Sequence, residues 1–162
     1  MNDSRPRVAI YTDGACAGNP GPGGWAALLI AGGREKVIAG GASHTTNNRM
    51  ELRAALAGLS ALKAPCVVAL HTDSEYLQKG MSGWVQMWVR KRWRTVSGAP
   101  VKNQDLWRKL LTLVEKHEVH WVWVRGHAGD PLNERVDMLA RQALEEIGRN
   151  APPDMEPPRP AG

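Results

Sequence analysis

Two acids stand at the ends of apolar runs in this 162-residue chain. Asp13 follows Val8-Ala9-Ile10-Tyr11-Thr12, and Asp73 follows Val67-Val68-Ala69-Leu70-His71-Thr72. A carboxylate at the exit of a buried strand is costly unless it is paired or binds a cation. If the two strands are parallel neighbours, both acids lie at their carboxyl ends, where open α/β sheets build their sites. Glu51 lies early in the helical stretch between them, and Asp137 near the start of the last helical stretch. Singly, each acid has an ordinary role. Asp13-Gly14 is a frequent turn pair, Glu51 three residues after Asn48 fits a capping pair, and Asp73-Ser74 could cap a helix. Asp137 could face water beside Asn133 and Arg141. Together, four converging carboxylates repel one another and resist ionisation. Divalent cations resolve the conflict: Mg²⁺ prefers carboxylate oxygens and commonly binds with substrate phosphate. Two ions about 3.5–4 Å apart can activate water and stabilise a leaving oxygen in phosphodiester displacement. The joint reading is metal-dependent nuclease chemistry. His127, between Gly126 and Ala128-Gly129, has the near-neutral pKa that suits proton transfer. His44, His71, His117 and His120 have no comparable setting and read as structural.

The elements that must position these groups follow from periodicity. Strands are expected at residues 7–12, 25–30 and 36–42, around a Gly/Pro loop and a Gly32-Gly33 turn, as an antiparallel meander. A helix over about 48–62 puts Leu52, Ala55, Leu56, Leu59 and Leu62 on one face. The strand at 67–72 then returns by a parallel crossover. Short helical pieces over 75–90, a helix over 103–116 and a strand over 119–124 come next. Asp130 and Pro131 are the N-cap and first residue of a final helix. The fold class is α/β: a mixed five-stranded sheet, three antiparallel strands followed by parallel additions, with helices on both faces. Residues 1–149 read as one domain, and the proline-rich 150–162 as a disordered or extended tail.

Charge points to the substrate class. The chain carries a net +5, and residues 84–109 hold seven basic residues against one acid, Asp105. A basic surface beside an acidic site suits an enzyme that holds phosphates and cuts next to them. Trp84, Trp88 and Trp93 interleave with Arg90, Lys91, Arg92 and Arg94. Trp84 is expected to contact nucleic acid and the others to pack, with Trp107 and Trp121 in the core. No run is long and apolar enough to span a bilayer, and the first residues lack a signal-peptide pattern. The two cysteines, Cys16 and Cys66, are expected as reduced thiols, and the protein in the cytoplasm.

Four segments, TDGACAGNPGPGG (12–24), TTNNRMEL (45–52), TDSEY (72–76) and GHAGDPLNERVDMLA (126–140), resemble bacterial type 1 ribonuclease H, in order and over residues 7–148. The resemblance implies a ribonuclease H-like fold and a monomeric enzyme. It implies cleavage of the RNA strand of RNA–DNA hybrids without sequence specificity, leaving 3′-hydroxyl and 5′-phosphate ends. It further implies Mg²⁺, with Mn²⁺ as a substitute, held by Asp13, Glu51, Asp73 and Asp137, with His127 as the active-site histidine and Glu134 as an auxiliary acid. Telling RNA from DNA needs a contact to the 2′-hydroxyl. Asn19, Asn47, Glu51, Glu75 and the backbone from Cys16 to Gly18 are candidates. Thr46 and Asn48 match positions that contact the DNA strand. The family often has glutamine where this chain has Glu75, and lysines near 97–99 where it has Ser-Gly-Ala. Segment 83–103 resembles the family's basic protrusion, with Arg90, Lys91, Arg92 and Arg94 for phosphates. A related nuclease or strand-transferring enzyme on the same fold, and a hybrid-binding module without catalysis, are the alternatives.

Overall fold

A computed structural model describes residues 4–125 and 130–156. Five strands, β1 (Arg7–Cys16), β2 (Gly21–Ala31), β3 (Arg34–Thr45), β4 (Val67–Thr72) and β5 (Glu118–Trp123), form one sheet in the order β3-β2-β1-β4-β5. β1, β2 and β3 are antiparallel, whereas β4 pairs in parallel with both β1 and β5. This is the mixed sheet expected. The parallel connection runs through α1 (Asn47–Ser60). After β4 come α2 (Glu75–Lys79), a single π-helical turn (Gly80–Trp84), α3 (Val85–Arg90) and α4 (Gln104–Lys116). After β5 comes α5 (Pro131–Glu146).

The pleat of β1 divides the core. Val8 and Ile10 pack with Leu52, Leu56, Leu59 and Leu106 on the face covered by α1 and α4. Tyr11 and Ala15 pack with Val136 and Ala140 of α5 on the other. Period-two alternation therefore sends Asp13 toward α5 and Gly14 toward α1. Trp107, Leu106 and Leu110 are fully buried and lock α4 into the larger core.

One expectation is corrected. The Gly/Pro segment is not mainly a loop, because the β1–β2 ladder continues through Gly14↔Trp25, Ala15↔Gly24 and Cys16↔Gly23. Its glycines are needed by close approach: a Cβ on Gly14 would lie 2.8 Å from the Glu51 amide nitrogen. Of the tail expected as disordered or extended, the described part is extended and hydrogen-bonded. Residues 151–156 run extended along the end of β3 and against α1, with Asp154 ion-paired to Arg49 and Arg53. Among the described residues, no helix is long and apolar enough to cross a membrane.

Candidate active site

Each carboxylate arrives by its own element. β1 and β4 pair in parallel as far as Tyr11↔His71, so two more residues along each strand bring Asp13 beside Asp73. Thr46 caps α1, its hydroxyl accepting from Arg49 N at 3.2 Å, so the helix starts one residue before the expected Asn48. Its first turn then lies over Gly14, and Glu51 faces the strand end rather than capping its helix. The Gly14 amide hydrogen-bonds both acids, at 2.9 Å from Asp13 Oδ1 and 2.8 Å from Glu51 Oε1. Asp130 caps α5 by accepting from Leu132 N and Asn133 N. Two turns on, Asp137 lies against Asp13 and is ion-paired with Arg141.

Ligand oxygens of Asp13, Glu51 and Asp73 lie within 4.8 Å of one another. They line a cleft of about 390 Å³ together with Asp137, Asn47, Asn48, Glu75 and Tyr76. Asp13 and Glu51 are each only 4% exposed. Burial pushes the Asp13 carboxyl up to about 7; bonds from Glu51 and Gly14 oppose the rise, and the Asp73 charge and Asp137 add to it. Burial, reinforced by Asp13 and Asp73, raises Glu51 well above the ordinary carboxylic-acid range. Burial thus biases Asp13 and Glu51 toward their neutral forms.

The donor set fits a hard divalent cation. It is all carboxylate oxygen, without histidine or cysteine among the described residues, the chemistry that Mg²⁺ favours. Glu51 Oε2 is buried without a hydrogen-bond partner, an orphaned acceptor of the kind a cation satisfies.

The remaining predicted residues are distributed as follows. Asn19 Oδ1 accepts from Asn47 N at 3.1 Å, joining the β1–β2 turn to the start of α1. Cys16 is half-buried, its Sγ 3.6 Å from the Gly21 and Thr45 carbonyls. Cys16 shares a second hollow, of about 690 Å³, with Glu134, Asp137 and Arg141. His127 lies outside the described residues. Arg90, Lys91, Arg92 and Arg94 are all exposed. The left-handed backbone at Arg92 and Trp93 (φ 55° and 63°) turns the chain so that Trp93 is buried between them.

Tyr76 was missed by sequence reasoning. It lines the cleft, and its hydroxyl accepts from Trp107 Nε1 at 2.9 Å and Asn103 Nδ2 at 3.1 Å. From Tyr76, ring contacts run through Trp84 (5.9 Å), Trp88 (5.7 Å) and Trp93 (5.9 Å) into the basic protrusion. Only its place directly after the TDSE run marked it. The expected structural histidines include His117, which accepts from Cys66 N at 3.0 Å, and His71, stacked on Tyr11 at 4.1 Å.

The sheet order, the crossover helix and the acidic cluster at the strand ends define an α/β domain of the ribonuclease H-like fold. A profile of the RNase H family matches residues 5–145. The chain is 57% identical over 143 residues to Ribonuclease H of Gluconobacter oxydans, covering 88% of this chain and 95% of that protein. It is 55% identical over 141 residues to Ribonuclease HI of Caulobacter vibrioides, covering 87% and 95% respectively. It is similar in structure to LC9-RNase H1, described as a type 1 RNase H with the type 2 active-site motif. There the TM-score is 0.80 and the identity 35%, over 90% of this chain and 75% of that one. LC11-RNase H1, solved in complex with an RNA/DNA hybrid, shares the fold at a TM-score of 0.65 and 22% identity, over 86% of this chain and 97% of that one. The chain belongs to the ribonuclease H family of enzymes.

Proposed function

We propose that this enzyme hydrolyses the RNA strand of RNA–DNA hybrids without sequence specificity, leaving 5′-phosphate and 3′-hydroxyl ends, as a monomer in the cytoplasm. The observation that carries the reading is the trio Asp13, Glu51 and Asp73, with ligand oxygens within 4.8 Å and Glu51 Oε2 unpartnered. With Asp137, these residues would hold Mg²⁺, with Mn²⁺ as a substitute. When bound, a pair of such cations supplies charge stabilisation at the attacking and leaving oxygens of phosphodiester displacement. The protein's own groups do the rest. The Gly14 amide fixes Asp13 and Glu51 against each other. His127 carries protons to and from the site, and Glu134 acts as an auxiliary acid. Cys16, Asn19, Asn47 and Glu75 face the RNA strand and its 2′-hydroxyls, whereas Thr46 and Asn48 face the DNA strand. Trp84, Arg90, Lys91, Arg92 and Arg94 hold backbone along the protrusion, which fixes register without reading sequence.

The test is incubation of the purified chain with end-labelled hybrid, DNA duplex and RNA duplex, with and without Mg²⁺. Cleavage is expected in the hybrid's RNA strand alone and only with the cation. Binding without cleavage under every metal condition would overturn the reading.

A further inference from the structure

We propose that residues 151–156 are a positioning brace for the corner between β3 and α1, acting chiefly through Asp154. This rests on the reading of that corner, which carries Thr46, Asn47 and Asn48, as part of the hybrid groove. The contacts of the segment bracket the corner in sequence. Before it, Ser43 N donates to the Pro152 carbonyl at 3.2 Å and Asp154 N to the His44 carbonyl at 3.0 Å. After it, Arg49 Nη2 donates to Asp154 Oδ1 at 2.9 Å and Arg49 Nε to the Asp154 carbonyl at 3.1 Å. Arg53 closes a fork on the same carboxylate, at 2.7 Å and 3.0 Å. The four residues 45–48 are thus held from both ends by a segment more than a hundred residues away in sequence.

The brace also reaches a second element that lines the cleft. Arg49, 1% exposed, has a second fork on Asp105 at 3.0 Å and 2.9 Å, and its Nη1 lies 3.1 Å from Asn103 Oδ1. Glu156 Oε1 accepts from Asn103 N at 2.7 Å. Asn103 Nδ2 donates to the Tyr76 hydroxyl, and Tyr76 lines the same cleft as Asn47 and Asn48. One extended strap therefore ties together two elements that line the same cleft. A groove fixed in advance does not have to be ordered when the substrate binds.

Brace and bulk charge predict opposite signs. Removing one negative charge near a polyanionic substrate by itself tightens binding. Loosening the corner weakens it. In the full chain, Asp154→Asn is compared with Asp154→Glu and Arg53→Gln. The readouts are Michaelis kinetics on labelled hybrid well below the unfolding temperature, and amide hydrogen exchange over residues 43–52. Asp154→Asn is expected to raise KM roughly five- to tenfold, the scale of coupling through a packed polar network, with kcat within about twofold and faster exchange over 45–49. Asp154→Glu is expected to recover most of both. If Asp154→Asn does not fold, Arg53→Gln, which keeps the Arg49–Asp154 pair, is expected to show the same directions at smaller size. An unchanged or lowered KM with unchanged exchange in the folded variants overturns the brace. A parent chain that cuts no hybrid refutes the functional reading instead, and the exchange measurement still decides the brace.

Discussion

Replacing Asp13 by Asn is expected to make the metal-free protein more stable while destroying its activity. The Asp13 carboxyl stands at about 7 in the folded protein, against an ordinary 3.8. Folding therefore favours its neutral form. Between pH 3.8 and 7 the folded state keeps a proton that the unfolded state has lost, so stability falls as pH rises through that window. Above about pH 7 the group is ionised in both states and the full cost is present. A rise of about three pH units, at roughly 1.4 kcal/mol each, amounts to about 4 kcal/mol. For a chain of this size that corresponds to roughly 8–16 °C in Tm. Asn has no proton to lose, so at pH 8 in EDTA the variant is expected to unfold higher by about that amount, and the gain to shrink towards zero near pH 4. Mg²⁺ or Mn²⁺ is expected to raise the parent's Tm by mass action and the variant's by much less, because an amide is a poorer ligand for a hard cation. Cleavage is abolished, and hybrid binding is retained or strengthened, since a negative charge beside the phosphates is gone. Calorimetry at several pH values, with and without EDTA, reads the stability and a gel assay the activity. A variant no more stable than its parent at pH 8 in EDTA would refute the burial argument, and substantial Mg²⁺-dependent cleavage by it would sink the ligand assignment.

Three further outcomes are expected. His127→Ala slows turnover by about 10²–10⁴-fold without eliminating it; a full parental rate across pH 6–9 would make His127 a loop residue only. Glu75→Gln, which removes an exposed carboxylate from the cleft wall, lowers KM for hybrid by roughly two- to fivefold at low salt, the scale of an exposed charge effect. An unchanged KM would show that the phosphates pass elsewhere. The fourfold change of Arg90, Lys91, Arg92 and Arg94 to Gln raises KM far more than it lowers kcat and flattens the dependence of affinity on salt. An unchanged salt slope with normal unfolding would place the hybrid off the protrusion.

Asp13 and Asp73 were legible because each sits where a strong strand pattern ends. Alternation in 8–12 and 67–72 fixed two strand ends, and the crossover between them required Glu51 to come back over the first. The glycines of 21–24 were misread because composition signals a turn equally well whether the chain turns or a helix presses on a strand. Only the tertiary approach of α1 and α5 decides between these. The partners of the extended tail were hidden for a related reason. Proline-rich composition describes local backbone preference, whereas what orders 151–156 is the pairing of Asp154 with Arg49, 105 residues away. A non-local ion pair leaves no periodic trace in sequence.

The same pairing changes the meaning of the charge count. Asp105 is the lone acid among seven cations in residues 84–109. In the folded protein it is turned inward, half-buried against Arg49 and held below the ordinary carboxylate range by that guanidinium, against the opposing effect of its own burial. It offers no counter-charge to the exposed Arg90, Lys91, Arg92 and Arg94. Arg94 donates to the Gly98 carbonyl, and Arg108 lies 5.1 Å from the centre of the Trp93 ring, so these contacts leave both positive charges unneutralised. The outward face of the protrusion is therefore more strongly cationic than composition states. The cleft beside it gathers acids of which Asp13 and Glu51 are biased toward their neutral forms, and a divalent cation favours the deprotonated, ligating form. On the proposed function, this division would let the protrusion hold the polyanion while the metal-loaded cleft receives the phosphate to be cut.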